Sequence, residues 1–363
     1  VKLRSLNLRN FRTYKSLNVS FHDKFNLIYG DNAQGKTNLL EAVYYISSFR
    51  PFKSVRNEEL ITFGQENAGV KGEIISDSGL DEINIHISRG KKSVKLNGKI
   101  VYRLSKYVGR FNVVLFLPED LKIIKGSPSV RRRYLDALIC NLEFEHINDL
   151  KDYNKAISHR NTVLSKSRKI DGDILEVWDT KIAEIGSKIT ERRLKTIKSL
   201  GFKLNELYNS TSGVNAKVDL VYKASYEKRA TLEASILYAL KNNFKKDLDR
   251  GHTTAGPHRD YIGFKIEGSD STTFASQGES KNLVLALKAA EIYMHETVKG
   301  QKPILLLDDI TSELDKNRKG FLFSLLKDYA GQVFVTSTAA DEIPYPGAKR
   351  VFKITRGRAE VIN

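Results

Sequence analysis

The sequence predicts an α/β fold in which one parallel-sheet core is divided along the chain by a mostly α-helical insertion. Three observations predict it. The apolar run Phe25–Tyr29 leads into Gly30-Asp31-Asn32-Ala33-Gln34-Gly35-Lys36-Thr37 and then into helical periodicity. Far downstream, the continuous apolar run Ile304–Leu307 ends in Asp308-Asp309, as expected of a strand buried on both faces. Between them, residues 126 to 250 repeat apolar side chains every three to five positions, which is helical spacing.

The elements follow in order. Leu3, Leu6 and Leu8, then Leu17, Val19 and Phe21, alternate and predict two strands with Asn10-Phe11-Arg12 between them. Ile83–Ile87 and Val94–Leu96 alternate as well, and Asn97-Gly98 predicts a type I′ turn, which needs positive φ at both central residues. The first hundred residues are therefore expected to be largely antiparallel β, interrupted by the helix after Thr37 and a small helix near Glu58 to Phe63. From Gly126 the pattern becomes helical. A helix over Ser129–Leu138 carries Arg131-Arg132-Arg133. Leu142–Leu164 and Ile174–Ile197 predict two antiparallel helices, each roughly 35–50 Å long, with the polar stretch Ser165–Asp173 between them. A strand near Ala216–Tyr222, a helix over Thr231–Leu248, a helix from Ser280 and a strand over Gln332–Thr338 complete the reading. Three segments result: 1–125, 126–250 and 251–363.

Composition bounds the function. The chain has 363 residues, 40% hydrophobic and 28% charged, as in soluble globular proteins. A single cysteine, Cys140, excludes an internal disulfide framework and suits a reducing cytoplasm. No apolar run approaches the roughly 20 residues of a membrane span, so no membrane association is expected. Seven histidines show no metal-ligand spacing. Sixty basic against 43 acidic residues give a net charge of +17, which favours a polyanionic partner such as nucleic acid.

The chemistry concentrates in two places. In a strand–loop–helix context, Gly30 and Gly35 permit backbone angles that turn N–H groups toward phosphate oxygens, and the helix N-terminus adds positive potential. Asn32 and Asn38 belong to the same loop and helix start. Lys36 is expected to reach the β- and γ-phosphates of ATP, and the Thr37 hydroxyl to hold Mg²⁺. Asp308 and Asp309 stand where open α/β sheets place their ligands, and successive strand residues point to opposite faces. Asp308 is therefore expected at the Mg²⁺ and Asp309 at the attacking water. Ser276-Gln277-Gly278-Glu279, just before the helix from Ser280, reads in two compatible ways: a second anion-binding helix start at Ser276 and Gly278, and an N-cap in which Glu279 completes a capping box.

These pieces resemble the ABC-type ATPases. Ser276–Glu279 is similar to their signature, and Thr311-Ser312-Glu313-Leu314-Asp315 to their D-loop. The resemblance implies an ABC/SMC-type P-loop ATPase head, an ATP-dependent homodimer in which Ser276 acts in trans on the nucleotide of the opposite copy, and Ser312 and Asp315 at the dimer contact.

Over nearly its whole length the chain further resembles the RecF family, short relatives of the SMC-type ATPases that lack a long coiled coil. The most specific pieces are Leu8-Arg9-Asn10-Phe11-Arg12, Phe116-Leu117-Pro118-Glu119-Asp120-Leu121, Lys125-Gly126-Ser127-Pro128 and Arg131-Arg132-Arg133-Tyr134-Leu135-Asp136. Tyr153, Arg160-Asn161, Thr254-Ala255-Gly256-Pro257-His258-Arg259-Asp260 and the signature add to them. The resemblance implies a recombination mediator of gap repair and replication restart, a weak DNA-dependent ATPase. It also implies binding to double-stranded and gapped DNA, and RecR, with RecO, as partners. By analogy with SMC heads, Arg12 touches nucleotide; a plain surface loop is the other reading.

The chain departs from the pattern at several points. The signature carries Glu279 in place of Gln, the second acid is Asp309 in place of Glu, and Thr338 with its neighbours stands where a switch His is common. No Q-loop glutamine is evident. A shorter base and no switch His imply slow hydrolysis, because placing the water carries most of this catalysis. Arg131-Arg132-Arg133 are candidate DNA contacts; fanned over about 200° of a helix, at most two share a face, and a solvated or core-bordering role is the alternative. The head of an SMC-like nuclease complex and the nucleotide-binding subunit of a transporter are the competing functions. The first would need a long coiled coil and the second would associate with membranes.

Overall fold

The computed structural model describes the chain except residues 53–54, 77–78, 104–106, 108–110, 167–171, 311–313, 344 and 363. The chain divides into two compact units: Val1–Asp120 with Ser210–Gly213 and Lys288–Asn363, and Leu121–Asn209 with Val214–Leu287.

The first unit is built on two sheets. The antiparallel sheet comprises β1 (Lys2–Phe11), β2 (Tyr14–Ser20), β4 (Asn67–Ser76), β5 (Gly79–Ser88), β6 (Lys91–Leu96) and β7 (Lys99–Ile100), in the order β2-β1-β4-β5-β6-β7. Its alternation is strict where one face is buried: Leu17, Leu8, Val70, Ile85 and Val94 lie opposite one another and form a continuous apolar row. A one-residue slip would turn that row to solvent, so the pattern itself fixes the register. Asn97 and Gly98 have φ of 48° and 79°, as the expected I′ turn requires.

The second sheet contains β3 (Phe25–Tyr29), β8 (Val113–Phe116), β12 (Ile304–Leu307), β13 (Val333–Ser337), β14 (Lys349–Thr355) and β15 (Arg358–Ile362). Its order is β15-β14-β3-β13-β12-β8, parallel except for the edge strand β15. Helix α1 (Lys36–Ser48) packs on strands of both sheets, and its Leu39, Leu40, Val43 and Ile46 are fully buried in a shared core. Gln332 ties the sheets, accepting from Leu3 N at 2.8 Å and donating to Leu3 O at 2.9 Å. The expected helix near Glu58 is a single 3₁₀ turn, Asn57–Leu60. Helix α10 (Lys316–Lys327) also belongs to this unit.

The second unit is mostly helical. It holds α2 (Leu121–Lys125), α3 (Pro128–Leu142), α4 (Glu145–Lys166), most of α5 (Gly172–Ser212), α6 (Leu232–Asn242), α7 (Phe244–Arg250), α8 (Ser271–Phe274) and the start of α9 (Gln277–Lys299). Helices α4 and α5 are antiparallel: Asp149 pairs with Arg192, His159 stacks on Trp178, and Arg160 pairs with Asp179. At 41 residues α5 is longer than expected, roughly 60 Å. The single helix expected over Thr231–Leu248 is broken at Asn243, whose φ of −85° and ψ of 4° end α6 before α7 begins. The break aims Asp247 into the interior, where it accepts from Arg160 and Thr254.

A small sheet, β11 (Ser269–Asp270), β10 (Tyr261–Ile266) and β9 (Val218–Lys223), completes the second unit. The pairing of β10 with β9 carries this unit on to Leu287, a boundary different from the expected 250/251.

Candidate nucleotide site

β3 delivers the chain into the phosphate-type loop. At Gly30 (φ 150°) a Cβ would lie 2.4 Å from Ile354 O; at Gly35 (φ 114°) it would lie 2.7 Å from Thr13 Oγ1. Neither position admits a side chain. Tyr14 donates to Gly35 O at 2.9 Å, and burial raises its phenol above the ordinary range. Gln34 fastens the loop to the β14–β15 hairpin: its Oε1 accepts from Arg356 N at 2.7 Å and its carbonyl from Gly357 N at 3.1 Å. Lys36 is buried and curls back, donating to Gly30 O at 2.5 Å and Asp31 O at 2.9 Å. Those carbonyls hold the ammonium over the loop, where a phosphate would meet it.

Strand order brings the acidic end of β12 within reach. β13 lies between β3 and β12, so the loop and the carboxylates flank its C-terminal end. Thr37 Oγ1 donates to Asp308 Oδ2 at 2.8 Å. Thr336 on β13 donates to Asp308 Oδ1 at 2.8 Å and accepts from Asp309 N at the same distance. Burial pushes the Asp308 carboxyl up, the two hydroxyls pull it down, and the charges of Asp309 and Glu119 raise it again. Asn32, Gly35, Lys36, Thr37, Asn38 and the two aspartates line a hollow of about 150 Å³. Asp309 itself sits at φ 45°, uncommon for a residue with a side chain.

The donor set suits Mg²⁺. Thr37 and Asp308 are hard oxygen donors. Among the described residues no group of three or more His, Cys, Asp or Glu forms a cage. Two protein ligands fit an ion that keeps several waters and phosphate oxygens in its shell.

The other expected residues are distributed as follows. Arg12 (φ 52°) is engaged by Glu41 on α1, Nε to Oε2 at 2.8 Å, and by Glu59 O at 2.9 Å. Asn38 donates to Thr13 Oγ1 at 3.0 Å. Thr338 donates to Glu342 Oε1 at 3.0 Å, and Ser337 to its other oxygen. These hydroxyls, Ser337 first, hold the Glu342 carboxyl below its usual range, with Lys319 and Lys36 adding to the effect. Asp315 caps α10, accepting from Arg318 N at 3.0 Å. Ser312 lies outside the described residues.

Ser276 and Gly278 stand in the second unit at the start of α9. Both halves of the capping box form: Ser276 N donates to Glu279 Oε2 at 2.8 Å and Glu279 N to Ser276 Oγ at 3.1 Å. Ser276 is exposed. Lys125 donates to Ser271 O, Thr272 O and Ala275 O, cupping the segment that leads into the signature.

The arginine cluster requires a correction. Arg131 is buried and spends its donors on Ile262 O at 2.5 Å and Gly126 O at 2.8 Å, so it cannot reach DNA. Arg132 is half-buried and donates to Asp260 O at 2.8 Å. Of the three only Arg133 is exposed. The fan of a helix sends each arginine to a different environment.

Sequence reasoning missed Thr336, Glu119, Glu342 and Gln34. A hydroxyl-rich strand end, Thr336-Ser337-Thr338, was the available signal for the first. Glu119 follows β8, the parallel neighbour of β12, and only sheet order reveals its proximity to Asp308.

Comparison with known proteins identifies the family. The RecF/RecN/SMC N terminal domain family matches residues 2–363. The chain is 35% identical over 362 residues to the DNA replication and repair protein RecF of Streptococcus pyogenes serotype M12 (strain MGAS9429), covering 99% of this chain and 98% of that one. It is 36% identical to the protein of the same name from Staphylococcus carnosus (strain TM300), covering 98% and 99%. A solved structure of the recombination mediator protein RecF with ATP, of the RecFOR pathway, superposes with a TM-score of 0.93 at 34% identity over 100% of this chain and 98% of that chain. The Smc head domain of Pyrococcus furiosus superposes at 0.57 with 17% identity, covering 99% and 96%, and shares the fold.

Proposed function

Because this chain belongs to the RecF family of SMC-type ATPases, we propose that it is an ATP-dependent DNA-binding homodimer acting as a recombination mediator in gap repair and replication restart. The observation that carries the reading is the hydroxyl bridge Thr37–Asp308–Thr336 beside the phosphate-type loop, which joins residues 271 positions apart around one hollow. In this reading the loop amides and Lys36 bind the phosphates of ATP, with Gly30, Asn32, Gly35 and Asn38 shaping the cradle. Thr37 and Asp308 would hold Mg²⁺, which neutralises phosphate charge. Asp309, its backbone fixed by Thr336, orients the attacking water.

Two copies complete the site. Ser276, exposed before α9, and the amide of Gly278 cap the γ-phosphate of the opposite copy, and Ser312 and Asp315 lie at that contact. Hydrolysis is slow, because Asp309 is one methylene shorter than Glu and Thr338 is already engaged by Glu342. Slow turnover suits a switch that closes on duplex DNA near a single-strand gap and hands it to RecR and RecO in the cytoplasm.

Sedimentation with and without ATP and a gapped duplex tests the reading, using Lys36→Arg and Ser276→Arg. An ATP-driven dimer that retains duplex, lost in both variants, is the expected result. A monomer throughout, or duplex binding indifferent to ATP, would overturn it.

A further inference from the structure

The six-stranded antiparallel sheet buries one face against α1 and leaves the other uncovered by its own unit. Strand register defines that outer face row by row. One row runs Ser16, Arg9, Gly69, His86, Ser93. The next runs Asn18, Asn7, Lys71, Asn84, Lys95. A shorter row adds Asn67, Ser88 and Lys91. Arg9, Asn7, His86, Asn84, Lys91 and Lys95 are exposed.

These three rows contain no acid and no apolar side chain. Acids begin only in the row beyond, where Glu73 pairs with Glu82, and Lys71 leans toward Glu82 at 2.8 Å. Among the described residues, Arg9, Lys91 and Lys95 have no acidic partner. At the Lys91 end, Arg50, Arg56 and Lys92 line a cleft of about 680 Å³ with Glu58 as its one acid among the described residues.

We propose that this face binds the phosphodiester backbone of duplex DNA. The proposal rests on the DNA-binding reading above and supplies it with a surface, which Arg131 and Arg132 do not. Lysine and arginine meet phosphates, and Asn and Ser donate to phosphate and sugar oxygens without reading sequence. Five strands at about 4.8 Å spacing make a face about 19 Å across, enough to meet both phosphate strands bordering a groove of about 12 Å. The absence of aromatic side chains disfavours stacking of single-strand bases. The absence of apolar ones disfavours a protein, whose interfaces have an apolar core. Apolar side chains border the three rows at two edges: Ile100, opposite Lys95, and Phe49, Phe52 and Val55 in the cleft beyond Lys91.

The test is the salt dependence of duplex binding by the full chain with ATP, comparing wild type, Arg9→Ala/Lys91→Ala/Lys95→Ala and Arg133→Ala. Removing one cation that neutralises a phosphate lowers the slope of log K against log salt by about 0.9. The triple variant is expected to reduce the slope by about 2–3 and affinity on the order of a hundredfold at about 0.1 M salt. It should keep wild-type ATP binding, the control for folding, while Arg133→Ala leaves the slope unchanged. Wild-type slope and affinity in the triple variant would overturn the surface. So would a weakening seen only in Arg133→Ala, or a triple variant that binds duplex normally and fails only with an acidic protein partner. A wild-type protein without duplex affinity would instead overturn the function on which the proposal rests.

Discussion

At the nucleotide hollow, the buried Asp308 carboxylate is held by two neutral hydroxyls and faces further carboxylates. Where the end of α4 meets the start of α5, Asp179 and Asp247 both close on Arg160, which is fully buried and also donates to Thr253 Oγ1 at 3.0 Å. One region holds its negative charge on neutral donors; the other matches it with a cation inside the chain. Isolated buried charge is costly, so the first arrangement is stable only where a cation can join it, whereas in the second two carboxylates already share one guanidinium. Lys288, buried with Glu291 and Asp120 in the first unit, follows the second pattern. The contrast is therefore between site and scaffold.

The sharpest way to break the comparison is Arg160→Leu. Removing one member of a buried charged set costs about 3–5 kcal/mol, and denaturant unfolding should register it. ATP affinity, measured by titration under native conditions, should stay within about twofold; a fall in proportion to stability would erase the distinction between site and scaffold.

A second prediction concerns protons. Burial, with nearby arginine charges assisting, lowers the His258 pKa to about 4, against 6.5 for a free side chain. The unfolded chain then binds more protons between these values, so the contribution is fully present above pH 6.5 and is lost as pH falls toward 4. Stability should drop by about 3 kcal/mol across that window. His258→Asn should flatten this part of the profile in a pH series of denaturation curves; an unchanged profile would assign the loss elsewhere.

The smallest effect sharpens the comparison at the site itself. Thr336→Val removes one hydroxyl from Asp308 and the acceptor of Asp309 N. Hydrogen bonds to charged groups contribute about 1.5–3 kcal/mol, so Mg²⁺-dependent ATP affinity should fall about 10- to 100-fold. Binding of ATP in chelator should change less. Equal losses with and without Mg²⁺ would show that Thr336 serves the fold.

What was legible in the sequence follows the same line. The phosphate-type loop, Asp308 and the capping box at Ser276 are local patterns, each a few residues long and each tied to one turn or helix end. The antiparallel strands were legible because a half-buried sheet forces period-two alternation. Arg160, Asp179 and Asp247 were not, because nothing in the chain near Arg160 announces partners 19 and 87 positions away. The break at Asn243 was hidden for a related reason: the helical spacing continues through it, and the requirement that Asp247 meet Arg160 is tertiary. Glu119 and Thr336 became visible only once β13 was placed between β3 and β12.

The position of β3 has a consequence for how this protein comes into being. The strand that leads into the phosphate-type loop is paired on one side with β13 and on the other with β14. Asn26 lies 307 positions before Val333, to which its side chain bonds. During synthesis at about 5–20 residues per second, Phe25–Tyr29 therefore waits tens of seconds for either neighbour. ATP cannot template the early chain, because its binding loop has no sheet to stand on until β13 and β14 have left the ribosome. An apolar segment held open that long is exposed to wrong pairings until both neighbours have arrived.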